Sequence, residues 1–158
     1  MSGSTLWRIA ADTPRYLADD LSGAGAEKTG GRWNAEGTAM LYASETIALA
    51  VLETLVHLPS GSLPLNRYLV KLEIPQAIWN RATRPDLEQM VGWDALPAGK
   101  VSIGWGNSWC AALQSAIALV PSVVVPEERN ALINPRHPDA RGIKATKVRK
   151  WLYDARSR

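Results

Sequence analysis

The fold depends first on residues 44–59, which are SETIALAVLETLVHLP. Ser44 offers a side-chain N-cap, Glu45 suits the positive end of a helix dipole, and Pro59 provides a stop. The stretch therefore predicts a helix from Ile47 to Leu58. Because this helix is apolar nearly all round, we expect it to be buried on most sides.

Outward from this helix, the chain alternates between strand and helix signals. A second helix is predicted from residue 107 or 108 to 119, and residues 75–106 are predicted to be loops with one short helix. The pattern of residues 147–153 does not decide between strand and helix. Without strict βαβ alternation, the chain is assigned to the α+β class, with a mixed sheet core and helices. The predicted strands are 6–9, 39–43, 66–74, 122–125 and 131–134.

Composition limits the class of protein. The chain has 158 residues, 46% of them hydrophobic and 21% charged, without a repeat or a linker. These values exclude wholesale disorder and predict one domain over residues 1–158. The single cysteine, Cys110, is expected to be a small buried residue. The presence of one cysteine alone also favours a reducing, cytoplasmic compartment. No apolar run is long enough to span a membrane, and no spacing of Cys and His predicts a metal site.

The charge is unevenly distributed along the chain. Residues 136–158 contain eight Lys or Arg and two acidic residues, whereas residues 1–135 are mildly acidic. A basic tail of this kind suits nucleic acid, an acidic partner or phosphates, and a solvated surface is the simpler alternative. We expect the tail to contact a protein partner or the phosphates of a ligand.

Glu53 is the strongest candidate for chemistry. It lies in the middle of the apolar helix, where an unpaired carboxylate is costly to bury unless it is used. Two alternatives remain open at this point. The side chain either points outward on the polar stripe with Thr46 or satisfies a buried arginine.

A glycine-rich segment supplies the second group of candidates. Gly31 allows the backbone to approach a ligand, and Arg32 provides a planar fork for phosphate or carboxylate. The segment matches neither the P-loop nor the dinucleotide-binding pattern, and an exposed turn is its alternative. Tyr42, at the end of a predicted strand, faces either a cleft or the core.

The order of these segments resembles the RES domain, a family named for an Arg, a Glu and a Ser. Matched by motif, the family's Arg falls on Arg32, its Tyr on Tyr42, its Glu on Glu53 and its Ser on Ser122. Asn134 lies in a matching Asn-Pro-x-His-Pro stretch. The resemblance covers most of the chain and implies a fold similar to that of ADP-ribosyltransferases.

The resemblance also implies a function. RES proteins are toxins of bacterial toxin–antitoxin pairs, usually encoded with an Xre-type antitoxin, and they consume NAD⁺ by hydrolysis, phosphorolysis or transfer of ADP-ribose to a protein. NAD⁺ is then a substrate and not a recycled cofactor. By this resemblance, Arg32, Tyr42 and Glu53 are expected to be catalytic. Gly31, Arg32, Tyr42, Ser122 and Asn134 are expected to bind NAD⁺.

Several assignments remain open. The expected assembly is a homodimer or a larger complex with the antitoxin. Two rival functions are a nucleic-acid-binding module that uses the basic run 144–150 and an inactive interaction domain whose cleft binds only an antitoxin. Steeply salt-dependent binding to DNA or RNA would support the first rival.

Overall fold

The computed structural model describes residues 3–59 and 61–157, so residues 1, 2, 60 and 158 of the predicted domain lie outside it. The helices are α1 (Ala24–Thr29), α2 (Ile47–Leu55), α3 (Gln76–Asn80) and α4 (Lys100–Ala112), with short 3₁₀ turns at Leu87–Gln89, Pro138–Gly142 and Ala155–Ser157. The strands are β1 (Gly3–Ala11), β2 (Leu41–Ser44), β3 (Arg67–Pro75), β4 (Ile117–Pro121), β5 (Arg129–Ile133) and β6 (Lys144–Lys150).

The six strands form one sheet in the order β4-β5-β2-β1-β3-β6. Every pair of neighbouring strands is antiparallel, and β1 pairs with β3 over its whole length, from Gly3–Pro75 to Ala11–Arg67. The α+β class is confirmed. A mixed sheet was predicted, whereas the strands of this sheet all pair in antiparallel fashion. Among the described residues, the parallel pairing is the isolated bridge Thr83–Ala118.

Strand β3 shows how alternation places the core. Val70, Leu72 and Ile74 are buried on one face and belong to the main core cluster, as the alternating pattern predicts. Leu69 points to the other face, yet it is also buried. It packs there with Ala50 of α2, so the helix covers this part of the second face of the sheet.

The helix that carries Glu53 differs from its prediction in three respects. Its N-cap is Thr46, whose hydroxyl accepts a hydrogen bond from the Leu49 amide at 3.1 Å, while Ser44 belongs to β2. It ends at Leu55 and not at Leu58. Within α2 the buried residues are Leu49 and Ala50, so the expectation of burial on most sides is wrong. The helix covers the sheet with one face and leaves the others partly exposed.

The second helix was placed too late in the sequence-based prediction. Helix α4 begins at Lys100 and ends before Leu113, which adopts a left-handed conformation with φ 53°. The apolar residues that follow form the buried strand β4, because a short apolar run suits a buried strand as well as a helix. Gly106 brings α4 close to Trp33, since a Cβ there would lie 1.7 Å from the Trp33 carbonyl oxygen.

Two more segments depart from their predictions. Residues 122–125 form a turn and not a strand, because the Ser122 hydroxyl accepts hydrogen bonds from the amides of Val124 and Val125. Residues 147–153 are divided between the end of β6 and an irregular segment. None of the helices in the described ranges has the length and apolar character needed to cross a membrane.

Candidate active site

A cleft of about 990 Å³ brings together four of the residues predicted from sequence, which are Gly31, Arg32, Tyr42 and Glu53. Its wall is built from β1, the glycine-rich segment, β2, α2 and β5. This volume lies at the upper end of the range for small-molecule sites. Residues that lie far apart in the chain therefore share one concave surface.

The Glu53 carboxylate is held from one side. Its Oε2 accepts a hydrogen bond from the Ser122 hydroxyl at 2.6 Å and another from the Asn130 amide nitrogen at 2.5 Å. Within the described residues the structure gives Oε1 no hydrogen-bond partner. The carboxylate is thus oriented through one oxygen while the other remains available at the cleft. The partners are neither Thr46 nor an arginine, so neither alternative placement of Glu53 holds.

Ser122 and Asn130 form the support behind this carboxylate. Ser122 is fully buried, does not line the cleft, and has its oxygen between Glu53 and the amides of Val124 and Val125. Asn130 lines the cleft, and its Oδ1 accepts a hydrogen bond from Ser44 at 2.6 Å. The structure therefore gives Ser122 a position that orients Glu53, whereas direct contact with NAD⁺ stays a prediction.

Tyr42 is fixed by its hydroxyl. The hydroxyl accepts a hydrogen bond from the Trp33 amide at 2.9 Å and donates one to Asn34 Oδ1 at 2.6 Å. Burial raises the pKa of Tyr42 well above its ordinary value, so the phenol is neutral at physiological pH. Gly31 packs against it, because a Cβ there would lie 2.7 Å from the Tyr42 hydroxyl oxygen. Contact with Tyr42 is therefore enough to explain the glycine, and close approach of a ligand there stays a prediction.

Arg32 is anchored to a loop across the cleft. Its Nη1 donates to the carbonyl oxygens of Trp93 at 3.0 Å and Ala95 at 2.9 Å, and its own carbonyl oxygen accepts from the buried Ser102 hydroxyl at 2.7 Å. Beneath it, the Trp33 ring stacks on Trp93 with ring centroids 6.1 Å apart. One guanidinium nitrogen is therefore used by the protein, and the rest of the fork remains for a ligand.

Arg8 is a site residue that the sequence-based prediction missed. It lies in β1, lines the cleft, and donates from Nη1 to the Tyr42 carbonyl oxygen at 3.1 Å. Its buried Nε has no hydrogen-bond partner among the described residues, and burial lowers the pKa of Arg8. A buried donor without a partner is costly, so this geometry suits an anionic ligand. The signal was an arginine inside the otherwise apolar strand segment 6–9.

The predicted residue Asn134 lies outside the cleft wall. It is buried, donates from Nδ2 to the Cys110 carbonyl oxygen at 3.1 Å, and accepts from the Arg136 amide at 3.1 Å. These contacts tie α4 to the turn after β5. Cys110 is buried as predicted, and burial raises the pKa of its thiol to about 11, which disfavours the thiolate.

The cleft wall includes none of the described residues after Asn130, so the basic tail does not line the cleft, although its Tyr153 contacts Thr54 there. The expectation that this tail reaches the phosphates of a ligand gains no support from the lining of the cleft and stays a prediction. Lys147 instead contacts Asp12 at 3.0 Å and lies 4.3 Å from the centre of the Tyr68 ring. In the described part of the chain, no group of three His, Cys, Asp or Glu side chains is placed to bind a metal ion.

A family model and several named relatives match the sequence. The sequence matches the RES domain over residues 5–155. The chain belongs to the RES domain family. This RES domain protein is 60% identical over 154 residues to the Prs ADP-ribosylating toxin of Sphingobium sp. (strain YBL2). The matched residues cover 97% of this chain and 96% of the relative.

More distant relatives of this RES domain protein are toxins named Res. The one from Yersinia enterocolitica is 39% identical over 78% of this chain and 80% of its own length. The one from Pseudomonas putida is 35% identical over 96% of this chain and 97% of its own length.

Proposed function

We propose that this RES domain protein is a bacterial toxin that breaks the bond between nicotinamide and ribose in NAD⁺ and transfers the ADP-ribose to a protein. The observation that carries the proposal is the Glu53 carboxylate, held through Oε2 by Ser122 and Asn130 in a cleft that also contains Arg32. The names of the relatives, which include toxins and an ADP-ribosylating toxin, support the same class of activity.

The carboxylate suits the charge that develops during this reaction. As the C–N bond breaks, its electron pair leaves with neutral nicotinamide and the ribose carbon becomes positively charged, as in glycoside cleavage. A fixed carboxylate in a partly water-excluded site stabilises this charge without reorganising. Glu53 Oε1 is the atom suited to face the sugar. The acceptor then attacks the same carbon and loses its proton.

The rest of the cleft suits the other parts of NAD⁺. Arg8 and Arg32 offer guanidinium groups to the two negative charges of the diphosphate. The Tyr42 ring offers an apolar surface to the nicotinamide, and its neutral, hydrogen-bonded hydroxyl cannot act as a base. Tyr42 therefore contributes to binding and orientation, and the charge of Glu53 contributes to the chemical step.

The experiment follows nicotinamide release from NAD⁺ by the purified protein and by two variants. Glu53→Gln keeps the shape of the side chain and removes its charge, so we expect the rate to fall by about 100- to 1000-fold. Glu73→Gln is the matched control, because Glu73 is exposed on β3 and does not line the cleft. A Glu53→Gln variant that retains the wild-type rate would falsify the proposal, as would a wild type that releases no nicotinamide.

The acceptor is tested with NAD⁺ labelled in its adenylate phosphate. Label on a protein band, with Prs as the first candidate acceptor because a relative is named for it, supports transfer. Label recovered as free ADP-ribose indicates hydrolysis, and a product that requires inorganic phosphate indicates phosphorolysis. Either of these outcomes, with no labelled protein in a cell lysate, would overturn the transferase part of the proposal.

The toxin part of the proposal has a cellular test. We expect induced expression in the bacterial cytoplasm to stop growth, and expression of Glu53→Gln to be tolerated. Co-expression with an Xre-type antitoxin is expected to restore growth by forming a complex. The rival function, an inactive interaction domain, is tested by calorimetry with NAD⁺. It predicts that the protein without its antitoxin gives no heat of binding.

A further inference from the structure

The last described segment of the chain returns to the helix that carries Glu53. After β6, Trp151 and Tyr153 pack against a small cluster formed by Ile9, Ala50 and Leu69. The Trp151 amide donates to the Arg67 carbonyl oxygen at 2.9 Å. The Arg149 guanidinium lies over the Trp151 ring at 4.4 Å. The path of residues 151–153 over α2 is thus fixed by several independent contacts.

A hydrogen bond connects this segment to the residue next to Glu53. The hydroxyls of Tyr153 and Thr54 lie 2.8 Å apart, and the Thr54 hydroxyl donates to the Val51 carbonyl oxygen at 2.8 Å. Because a threonine hydroxyl has a single proton, Tyr153 must be the donor in their shared bond. Thr54 lines the cleft beside Glu53. Tyr153 therefore acts on the helical turn that contains Glu53.

This turn has little burial to hold it. Residues 51–55 of α2 are half-buried, whereas its two buried residues, Leu49 and Ala50, lie one turn earlier. Packing of an apolar face normally supplies most of the stability of a short helix. Side-chain contacts therefore matter more at Glu53 than elsewhere in α2. Ser122 and Asn130 hold the carboxylate, and Tyr153 holds the backbone turn through Thr54.

We propose that the segment Trp151–Tyr153 is a clamp on the end of α2 and that Tyr153 is a positioning residue for Glu53. The inference rests on the proposed function for its effect on catalysis, but the mechanical coupling of Tyr153 to α2 does not depend on which reaction occurs. Removing the hydroxyl loosens the turn and leaves the groups that contact NAD⁺ unchanged. The chemical step is affected and ground-state binding is not.

The experiment compares Tyr153→Phe with Tyr68→Phe. Both changes remove one hydroxyl from a half-buried tyrosine, and the Tyr68 hydroxyl has no hydrogen-bond partner among the described residues. We expect Tyr153→Phe to lower kcat for nicotinamide release about fivefold, with KM for NAD⁺ within about twofold of wild type. We expect Tyr68→Phe to leave both constants near wild type. Thermal unfolding reports whether the two variants remain equally folded.

Two further measurements separate positioning from general stability. Hydrogen exchange of the amides of residues 52–56 is expected to be several-fold faster in Tyr153→Phe than in wild type or Tyr68→Phe. Thr54→Val removes the bond to Tyr153 and also the bond to Val51, so it is expected to lower kcat at least as much. The double variant Thr54→Val/Tyr153→Phe is expected to be no slower than Thr54→Val alone, because the bond to Tyr153 is already lost.

These results distinguish the clamp from the proposed function. If the wild type releases no nicotinamide, the proposed function fails, and the exchange measurement still decides whether Tyr153 holds α2. Unchanged exchange in Tyr153→Phe overturns the clamp even when NAD⁺ cleavage is confirmed. Additive losses of kcat in the double variant, or a loss that merely follows the unfolded fraction, also overturn it.

Discussion

The two halves of the cleft hold their charged groups in opposite ways. On the carboxylate side (Glu53, Ser122 and Asn130), two side chains, one from the turn after β4 and one from β5, donate to one oxygen of the acid. On the arginine side (Arg32 and Trp93), backbone carbonyls accept from the guanidinium. Side-chain donors oriented by buried partners fix the position of a charge, whereas carbonyls of a surface loop can be exchanged for phosphate oxygens. The first side therefore suits the chemical step, and the second suits substrate binding.

A pair of buried serines tests this comparison with the largest expected effect. Ser122 and Ser102 are both fully buried, and each donates one hydrogen bond, to the Glu53 carboxylate and to the Arg32 carbonyl oxygen respectively. Hydrogen bonds to charged groups contribute about 1.5–3 kcal/mol. We therefore expect Ser122→Ala to lower kcat for nicotinamide release by about 10- to 100-fold, with a small change in KM.

Ser102→Ala is the matched control on the arginine side. Its partner is a neutral carbonyl, so we expect a small increase in KM for NAD⁺ and a kcat within about twofold of wild type. Steady-state kinetics with the two variants, each checked for folding by circular dichroism, gives the comparison. Equal losses of kcat in both would contradict the division of the cleft into a chemical and a binding side.

The sequence predicted residues that line this cleft better than the residues that support them. Arg32, Tyr42 and Glu53 were recognisable because a charged or polar residue is conspicuous in a glycine-rich or apolar context, and the structure places all three on one cleft wall. Arg8 carries a similar signal, an arginine in an apolar strand, but the predicted site does not include it. The role of Asn130 could not be predicted, because its contact with Glu53 depends on how β5 meets α2.

The errors in the fold have a common physical cause. The late helix was predicted from a capping residue at 107 or 108 and the stop at Pro121, and the strand at 122–125 was predicted from a short apolar run. Such local signals do not decide between a buried strand, a helix and a turn. In the structure α4 ends at the left-handed Leu113, and the Ser122 hydroxyl closes a local turn after β4. Strand β3 was predicted correctly because its long alternation allows one interpretation.

Arg32→Lys tests the arginine side of the cleft, and its expected effect on the kinetics is intermediate. Lysine keeps the positive charge but has a single nitrogen, whereas Arg32 contacts the carbonyl oxygens of Trp93 and Ala95 through Nη1 and keeps its other donors for a ligand. We expect KM for NAD⁺ to rise about tenfold while kcat stays within about threefold of wild type, as measured by initial rates over a range of NAD⁺ concentrations. A loss of kcat as large as that of Glu53→Gln, at unchanged KM, would instead make Arg32 a participant in bond breaking.

The smallest expected effect concerns pH and the arginine side. Cys110 shares a core cluster with Trp33, against which Tyr42 also packs. Burial raises the thiol pKa from 9.0 to about 11, so the native state keeps a proton that the unfolded chain loses first. Where the unfolded state binds fewer protons, the free energy of unfolding falls as pH rises. The contribution of the protonated Cys110 thiol to the free energy of unfolding is complete below about pH 9 and is lost between about pH 9 and 11.

Cys110→Ala removes the part of the alkaline loss of stability that is due to the thiol. The part due to Tyr42, whose pKa is also raised by burial, remains in this variant. We expect the free energy of unfolding in urea to fall between pH 8 and 10.5 by ~1 kcal/mol more in wild type than in Cys110→Ala. Tryptophan fluorescence is a suitable probe, because Trp33, Trp105 and Trp109 pack in this cluster. An equal fall in both proteins would mean that the thiol is solvated in the native state, and the packing beneath Arg32 would then be looser than the structure indicates.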